Sequence, residues 1–311
     1  MQIAEKILNH SNNKAVLYMI LGGFTFATMG ALTHALGQRI DWIVIAFFRM
    51  FLTFIFITAV LFRERKFPFI LNNPLLWFRS IVGSIAMLAT FYALTKLPIS
   101  DVAVVTETRP IWVALLAGFI LGESTRSKIW ISIILSIIGV LLIEKPYFEQ
   151  RNFAVFAALL ASVLGAVVMI CLRLLKDIES KRIVAHFSGT ACIFSLVCLF
   201  IFKKDIAPGI QFDLLTIVML LGVGIFGTIG QLAMTKAFSI GEAPIVATAG
   251  FIKIGFSAVY DILIWKYVFE YSTILGMILI LVATSLIFNG GFNKLSNRLR
   301  DILRNSRFPY Y

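Results

Sequence analysis

The stretch Pro98–Glu123, PISDVAVVTETRPIWVALLAGFILGE, decides how the rest of the chain is read. It is apolar enough, and at about 1.5 Å of rise per residue long enough, to cross a bilayer as a helix. Yet Glu107, Arg109 and Pro110 fall near its middle. An ionised side chain at membrane depth is costly unless it meets a partner or a water-filled cavity, so charges there point to a pathway by default. Pro110 removes the hydrogen bond to the Thr106 carbonyl and biases Arg109 away from helical geometry. A freed carbonyl beside a charged pair is a surface that a ligand can face. The competing reading is an ordinary kink whose two charges pair with neighbouring helices to fix packing.

Composition supports a membrane setting. Of 311 residues, 59% are hydrophobic and only 14% charged, and the mean hydropathy is +0.92. That profile belongs to a polytopic membrane protein and excludes an ordinary soluble domain. The 28 Lys and Arg against 16 Asp and Glu do not indicate nucleic acid, because the basic residues lie where membrane loops place them. Cys171, Cys192 and Cys198 sit inside apolar runs without metal or disulfide spacing, and read as packing residues.

Ten spans follow from the apolar runs, at about 15–36, 42–62, 75–95, 101–121, 128–144, 153–174, 182–202, 214–238, 243–266 and 272–290. The first exceeds a signal-peptide core and ends without a small-x-small cleavage site, so it reads as a membrane helix preceded by a polar N-tail, 1–14. With that tail in the cytoplasm, the inner segments hold 18 basic residues and the outer segments 7. Arg49, Arg109 and Lys253 remain inside spans. The asymmetry predicts cytoplasmic N- and C-termini. In the C-tail, 291–311, Leu295, Leu299 and Ile302 recur at helical spacing opposite Arg298, as expected of a basic amphipathic helix lying on an anionic inner leaflet.

A shift of 144 residues superposes Ala93 on Ala237, Val102 on Val246 and Ala114 on Ala258, and places Arg109 on Lys253. One basic residue thus occupies the middle of the fourth span in each half. The expected architecture is all-α, with two five-helix repeats at 15–144 and 153–290. Five is odd, so the second repeat runs inverted relative to the first, with the two basic residues approaching near the midplane.

Several features carry a family resemblance. They are Tyr92-Ala93 with Pro98 at the end of the third span, the short turn into the fourth, Pro110 within it, Gly122-Glu123 closing it, and Phe47-Phe48-Arg49. On these the chain resembles the ten-helix, EamA-type branch of the drug/metabolite transporter superfamily. The resemblance implies an inner-membrane carrier of small metabolites, in a family whose members move amino acids, purines, nucleotide sugars or S-adenosylmethionine. It also implies a Pro and a closing Glu in the second half, where this chain has Ile254 and Tyr267.

The candidate substrate-binding residues are Arg49, Tyr92, Glu107, Arg109, Trp112, Gln231, Lys253 and Tyr260. Their charge balance is positive, which suits a carboxylate or phosphate that Arg grips in bidentate fashion. Glu107 and Arg109 lie about 200° apart around a helix and do not neutralise each other on one face. Glu107 therefore suits a ligand ammonium or a coupling proton, while Arg49 serves equally well as a clamp on backbone carbonyls. Thr228, Gln231 and Thr235 share a face of the eighth span and either line a cavity or bond across helices. His34, His186 and Asp261 are expected near the membrane interface.

Gly222–Gly227, GVGIFG, satisfies G-x-G-x-x-G but lacks the strand-turn-helix setting that the fingerprint needs. No Walker loop occurs, so the chain does not read as an ATP-driven pump. The expectation is a secondary transporter for a small anionic or zwitterionic metabolite, without cofactor or metal, with a coupling proton or counter-substrate as a further partner. An integral-membrane lipid or head-group enzyme is the alternative, although the scattered histidines supply no catalytic cluster. A non-transporting membrane scaffold is the third reading.

Overall fold

The computed structural model describes residues 2–37, 39–67, 70, 72–96, 105–106, 108–122, 127–144, 152–201 and 213–265, together with 271–272, 274–276, 278–279 and 282–283. Glu107 and the C-tail lie outside them. Among the described residues the regular structure is helical. The helices are α1 (Gln2–Gly37), α2 (Trp42–Arg63), α3 (Pro74–Lys96), α4 (Arg109–Leu116), α5 (Ser127–Glu144), α6 (Asn152–Leu174), α7 (Ser180–Ile201), α8 (Leu214–Ile240), α9 (Ala243–Ala249) and α10 (Ile252–Trp265). Six of the expected spans appear as long apolar helices, and 109–121, 129–139 and 243–257 as shorter ones.

Local chemistry sets the ends. The Asp41 carboxylate accepts from the Ile43 amide at 2.9 Å and starts α2. Asp213 does the same for α8 through the Thr216 amide, also at 2.9 Å. Asn73 accepts from the Leu76 amide at 3.0 Å, ahead of Pro74, a pairing that suits the first turn because proline has no N–H to leave unsatisfied. Helix α1 runs unbroken from Gln2 through the N-tail into the first span. Ser11 Oγ donates to the Ile240 carbonyl and Asn12 Nδ2 to Glu242, so this turn is held by the second half of the chain.

The bundle turns large apolar side chains outward and small polar ones inward. Phe119, Phe200, Leu214 and Leu263 are exposed, while Ser80, Ser84, Ser162, Ser188, Thr228 and Thr235 are buried. That distribution suits a molecule solvated by lipid, in which helices associate through small residues and interhelical hydrogen bonds.

The principal contacts join residues before 144 to residues after 152. In the pair α1 and α8, Gly22 meets Gly230 and Leu32 meets Gly222, so the two run antiparallel. The pair α3 and α6 is also antiparallel, with Gly83 against Val168 and Ala93 against Ala154 and Ala158. By contrast α1 runs parallel to α10, with Gly23 against Lys253 and Thr28 against Tyr260. Likewise α6 runs parallel to α4, with Ser162 beside Thr108 and Ala166 and Met169 clustered with Val113 and Ala117. Exchanging the halves therefore maps the first antiparallel pair onto the second and the first parallel pair onto the second.

Close packing makes the α1–α8 seam intolerant of bulk. A Cβ on Gly230 would lie 2.8 Å from Thr25 Oγ1 and 3.0 Å from the Phe26 ring, whereas one on Gly30 meets nothing within 4 Å. Gly230→Leu is expected to cost about 1–3 kcal/mol through overpacking, read as a lower Tm in detergent. Gly30→Ala should leave the Tm unchanged.

Candidate functional site

Among the described residues Pro110 stands in the first turn of a helix rather than at the centre of one, which corrects the expectation. Residues 105–106 are helical, Thr108 caps, and α4 begins afresh at Arg109 with Pro110 in its first turn. There the missing N–H costs least. The Thr106 carbonyl still lies beside the break, with Ser162 Oγ of α6 at 3.4 Å. Ser162 Oγ is also 3.0 Å from Thr108 Oγ1. The Thr108 hydroxyl donates to the Val105 carbonyl at 2.7 Å and accepts from the Trp112 indole at 3.3 Å. The other end of α4 widens into one π-helical turn, Ala117–Leu121, stopped by Gly122 at φ 64°. That left-handed cap favours glycine.

The corresponding span of the second half is broken too, without a proline. Between α9 and α10 the bonds tighten to i→i−3: Gly250 donates to Ala247, Phe251 to Thr248, Lys253 to Gly250 and Ile254 to Phe251. Thus Arg109 opens α4 and Lys253 lies in the first turn of α10. Each basic residue crosses the first helix of the opposite half at a glycine. A Cβ on Gly165 of α6 would lie 2.6 Å from Arg109 Nε, and one on Gly23 of α1 would lie 3.3 Å from the Lys253 amide nitrogen. A larger residue at 165 would displace the Arg109 side chain, and one at 23 would press on Ile252 and the Lys253 backbone.

The nominated residues fall into two groups. Arg49, Lys253 and Tyr260 gather on successive turns of α1. The Arg49 guanidinium is 6.0 Å from the Phe26 ring centroid and passes Gly227 of α8, and the Tyr260 hydroxyl is 2.6 Å from Thr28 Oγ1. Arg109 and Trp112 gather instead on α6, where Tyr92 packs against the Ala154–Ala158 cluster. Gln231, buried on α8, keeps an Nε2 without a hydrogen-bond partner, as Thr235 does its hydroxyl. Thr228 Oγ1 bonds Thr53 of α2 at 2.9 Å and Gly224 at 2.6 Å, which fits helix bonding. The Asp261 side chain is outside the described residues. Among the described residues no group of His, Cys, Asp and Glu is arranged to hold a metal.

Sequence reasoning missed Arg79, counting it with the basic residues of the inner segments although it falls inside the span at 75–95. Arg79 is on the second turn of α3, 1% exposed, with its guanidinium 4.1 Å from the Phe187 ring of α7. Its Nε and Nη1 have no hydrogen-bond partner. His186 is buried beside it in the second turn of α7, with Nδ1 2.9 Å from Ser80 Oγ and the ring edge-on to Trp77. The Asn73-Pro74 start of α3 was the available signal, because it puts Arg79 inside the helix.

Ion pairs tie the halves at both ends of α2. Arg39 meets Asp213 at 2.9 Å at one end. At the other, Lys66 meets Glu179 at 2.8 Å and Lys181 bonds Glu64. The Lys181 and Lys66 ammonium groups hold Glu64 below the usual carboxylate range, and Thr216 with Arg39 does the same for Asp213.

Basic helix starts held inside a helical bundle with an apolar exterior define a multi-pass membrane transporter. The chain belongs to the EamA-like transporter family, whose model matches residues 13–144 and again 152–289. It lies within the drug/metabolite transporter superfamily and is a transporter rather than an enzyme. It is 29% identical over 274 residues to the pseudopaline exporter CntI of Pseudomonas aeruginosa, covering 86% of this chain and 93% of that protein. It is 24% identical over 291 residues to the S-adenosylmethionine uptake transporter of Rickettsia prowazekii, covering 91% and 95%. A solved crystal structure 16% identical in sequence superposes with a TM-score of 0.78, covering 92% of this chain and 99% of that one, and shares the fold.

Two stability predictions follow from this geometry. A guanidinium buried without a carboxylate partner pays desolvation that an apolar side chain of similar length does not, against the loss of its contact with the Phe187 ring. Arg79→Met should therefore fold with an equal or higher Tm in detergent, and a large loss would show that the guanidinium is needed for packing. The two lowered carboxylates contribute stability that is fully present above the ordinary carboxylate range near pH 4. It is lost as pH falls from there through their lowered native values. The Tm of Glu64→Gln/Asp213→Asn should accordingly fall less than that of the parent between pH 5 and about pH 3.

Proposed function

We propose that the protein is a secondary transporter for a small anionic or zwitterionic metabolite, working by alternating access between two inverted five-helix halves. The observation that carries the reading is the pair of broken helices. In corresponding spans of the two halves, the α-helical ladder is interrupted within the bundle beside a basic residue, Arg109 in one and Lys253 in the other. Discontinuous helices of this kind are how transporters present half-helix N-termini to anionic substrate groups. The helix directions support the inversion: following the contacts from pair to pair, α1 and its counterpart α6 run opposite ways.

Arg109, Lys253 and Arg49 supply positive charge for a carboxylate or phosphate. Trp112, Tyr92, Tyr260 and Gln231 shape the walls. Glu107 takes a ligand ammonium or a coupling proton, and its acidity is the one negative contribution in the set. With Arg79 set aside as a buried helix residue, the excess of inner over outer basic residues still supports both termini in the cytoplasm, and the family resemblance suggests a cell inner membrane. Ten spans fit this plan, with α9 and α10 forming one of them. Relatives named for exporting pseudopaline and for taking up S-adenosylmethionine support a small-molecule substrate.

Reconstitution into proteoliposomes tests the reading. Saturable counterflow is expected for at least one member of a panel of amino acids, nucleotides and S-adenosylmethionine. Arg109→Ala and Lys253→Ala should each reduce that flux by at least about a hundredfold, the scale of losing a charge-assisted contact worth roughly 3 kcal/mol, while inserting normally. Parental flux in both variants would place the substrate route elsewhere.

A further inference from the structure

A groove of about 570 Å³ opens between α1, α8 and the turn that joins α6 to α7. Its character changes along its length. Leu21 of α1 with Ile229 and Leu232 of α8 form an apolar wall, and Leu21 and Ile229 are exposed on the outer, lipid-facing surface of the bundle. The opposite end is a cationic rim. Lys176 follows the end of α6 and Lys236 sits in the penultimate turn of α8, both exposed. Between the two zones lies Tyr18, 40% exposed, an amphipathic ring of the kind that favours the head-group level.

The charges at the rim do not cancel. Glu179 is engaged by Lys66 and Lys181 by Glu64, so those four are occupied with one another. Among the described residues Lys176 and Lys236 have no carboxylate partner within ion-pair distance, and of the groove's carboxylates only Asp177 is likewise unengaged. Two cations thus face one anion. The rim also sits at the end of the bundle that carries the inner-segment basic residues, where anionic head groups concentrate.

We propose that this groove is a binding site for an anionic glycerophospholipid of the inner leaflet, with its phosphate at Lys176 and Lys236 and an acyl chain along Leu21, Ile229 and Leu232. The site rests on the orientation given under Proposed function but not on any transport activity. A soluble anion satisfies the rim and leaves the apolar wall against bulk lipid. The chain's own C-tail brings five more basic residues, Lys294, Arg298, Arg300, Arg304 and Arg307, which the rim repels. A choline lipid presents its ammonium to the same lysines. An anionic lipid matches both zones at once, and its head group ties α8 to the α6–α7 turn across the mouth of the groove.

The test uses the full chain in detergent, titrated with phosphatidylglycerol, with phosphatidylcholine and with inorganic phosphate, and followed by native mass spectrometry and by thermal melting. Phosphatidylglycerol should be retained in preference to phosphatidylcholine. Lys176→Ala/Lys236→Ala should weaken its retention by about thirtyfold, since each lysine near the bilayer surface contributes roughly a fivefold factor. Both side chains are exposed, so the variant should fold. Equal retention of the two lipids by the parent, or unchanged phosphatidylglycerol retention by the double variant, overturns the proposal. A melting shift with inorganic phosphate as large as that with phosphatidylglycerol overturns it too, because the apolar wall would then contribute nothing. Binding is read without substrate, so failure here leaves the carrier reading intact, and failure of counterflow leaves this site intact.

Discussion

A backbone polar group released from its helix inside a bilayer has no water to turn to, and the rest of the fold is arranged around meeting that requirement at two places. At the first, Pro110 offers the Thr106 carbonyl no amide, and Ser162 Oγ donates to that carbonyl at 3.4 Å while lying 3.0 Å from Thr108 Oγ1. At the second, the chain keeps its amides bonded by tightening to i→i−3 from Gly250 to Ile254. Neither break is tolerable on the lipid face. Each lies against the first helix of the opposite half. The glycines at 23 and 165 follow from the same demand, because a broken helix brings its own backbone and its basic side chain close to the neighbour.

Much of the architecture is legible in the residues, and the illegible parts have identifiable causes. Apolar runs give the long helices because lipid requires length and hydrophobicity of them, and Asp41, Asn73 and Asp213 mark starts because their side chains accept amides at N-caps. Pro110 announces a disturbance but not its outcome: a kink within one helix and a restart as a new helix follow equally from the loss of one bond. The second break carries no such flag. Ile254 stands where a proline would be, and the tight turn at Gly250 arises from packing against α1, which local sequence does not encode. Arg79 escapes because charge and hydropathy, taken alone, assign an arginine near a span boundary to a loop. The Asn73-Pro74 cap outranks that argument, since it fixes the helix start six residues earlier. Among the candidate site residues, type was readable and grouping was not. Arg49, Lys253 and Tyr260 meet along α1 while Arg109 and Trp112 meet along α6, through contacts between residues far apart in the chain.

Exchange symmetry gives the fold two equivalent interfaces, α3 with α7 and α8 with α2, yet they are built differently. The first buries Arg79 and His186 beside Phe187 and Trp77. The second is bridged by the hydroxyl pair Thr53 and Thr228, with Arg49 passing Gly227. Halves that were identical would make a conformation open to one side and its mirror open to the other equal in free energy. Every departure from identity moves that balance, because a population shifts only by the difference in interaction energy between the two states. The departures here are ionic as well as steric. Among the described residues one end of α2 is tied across the halves by Glu64, Lys66, Glu179 and Lys181, and the other by Arg39 and Asp213. Exposed pairs of this kind are individually weak and screened by salt. Among the described residues they are more numerous at the end of α2 that follows Arg63, so raising the ionic strength weakens the ties between the halves most at that end.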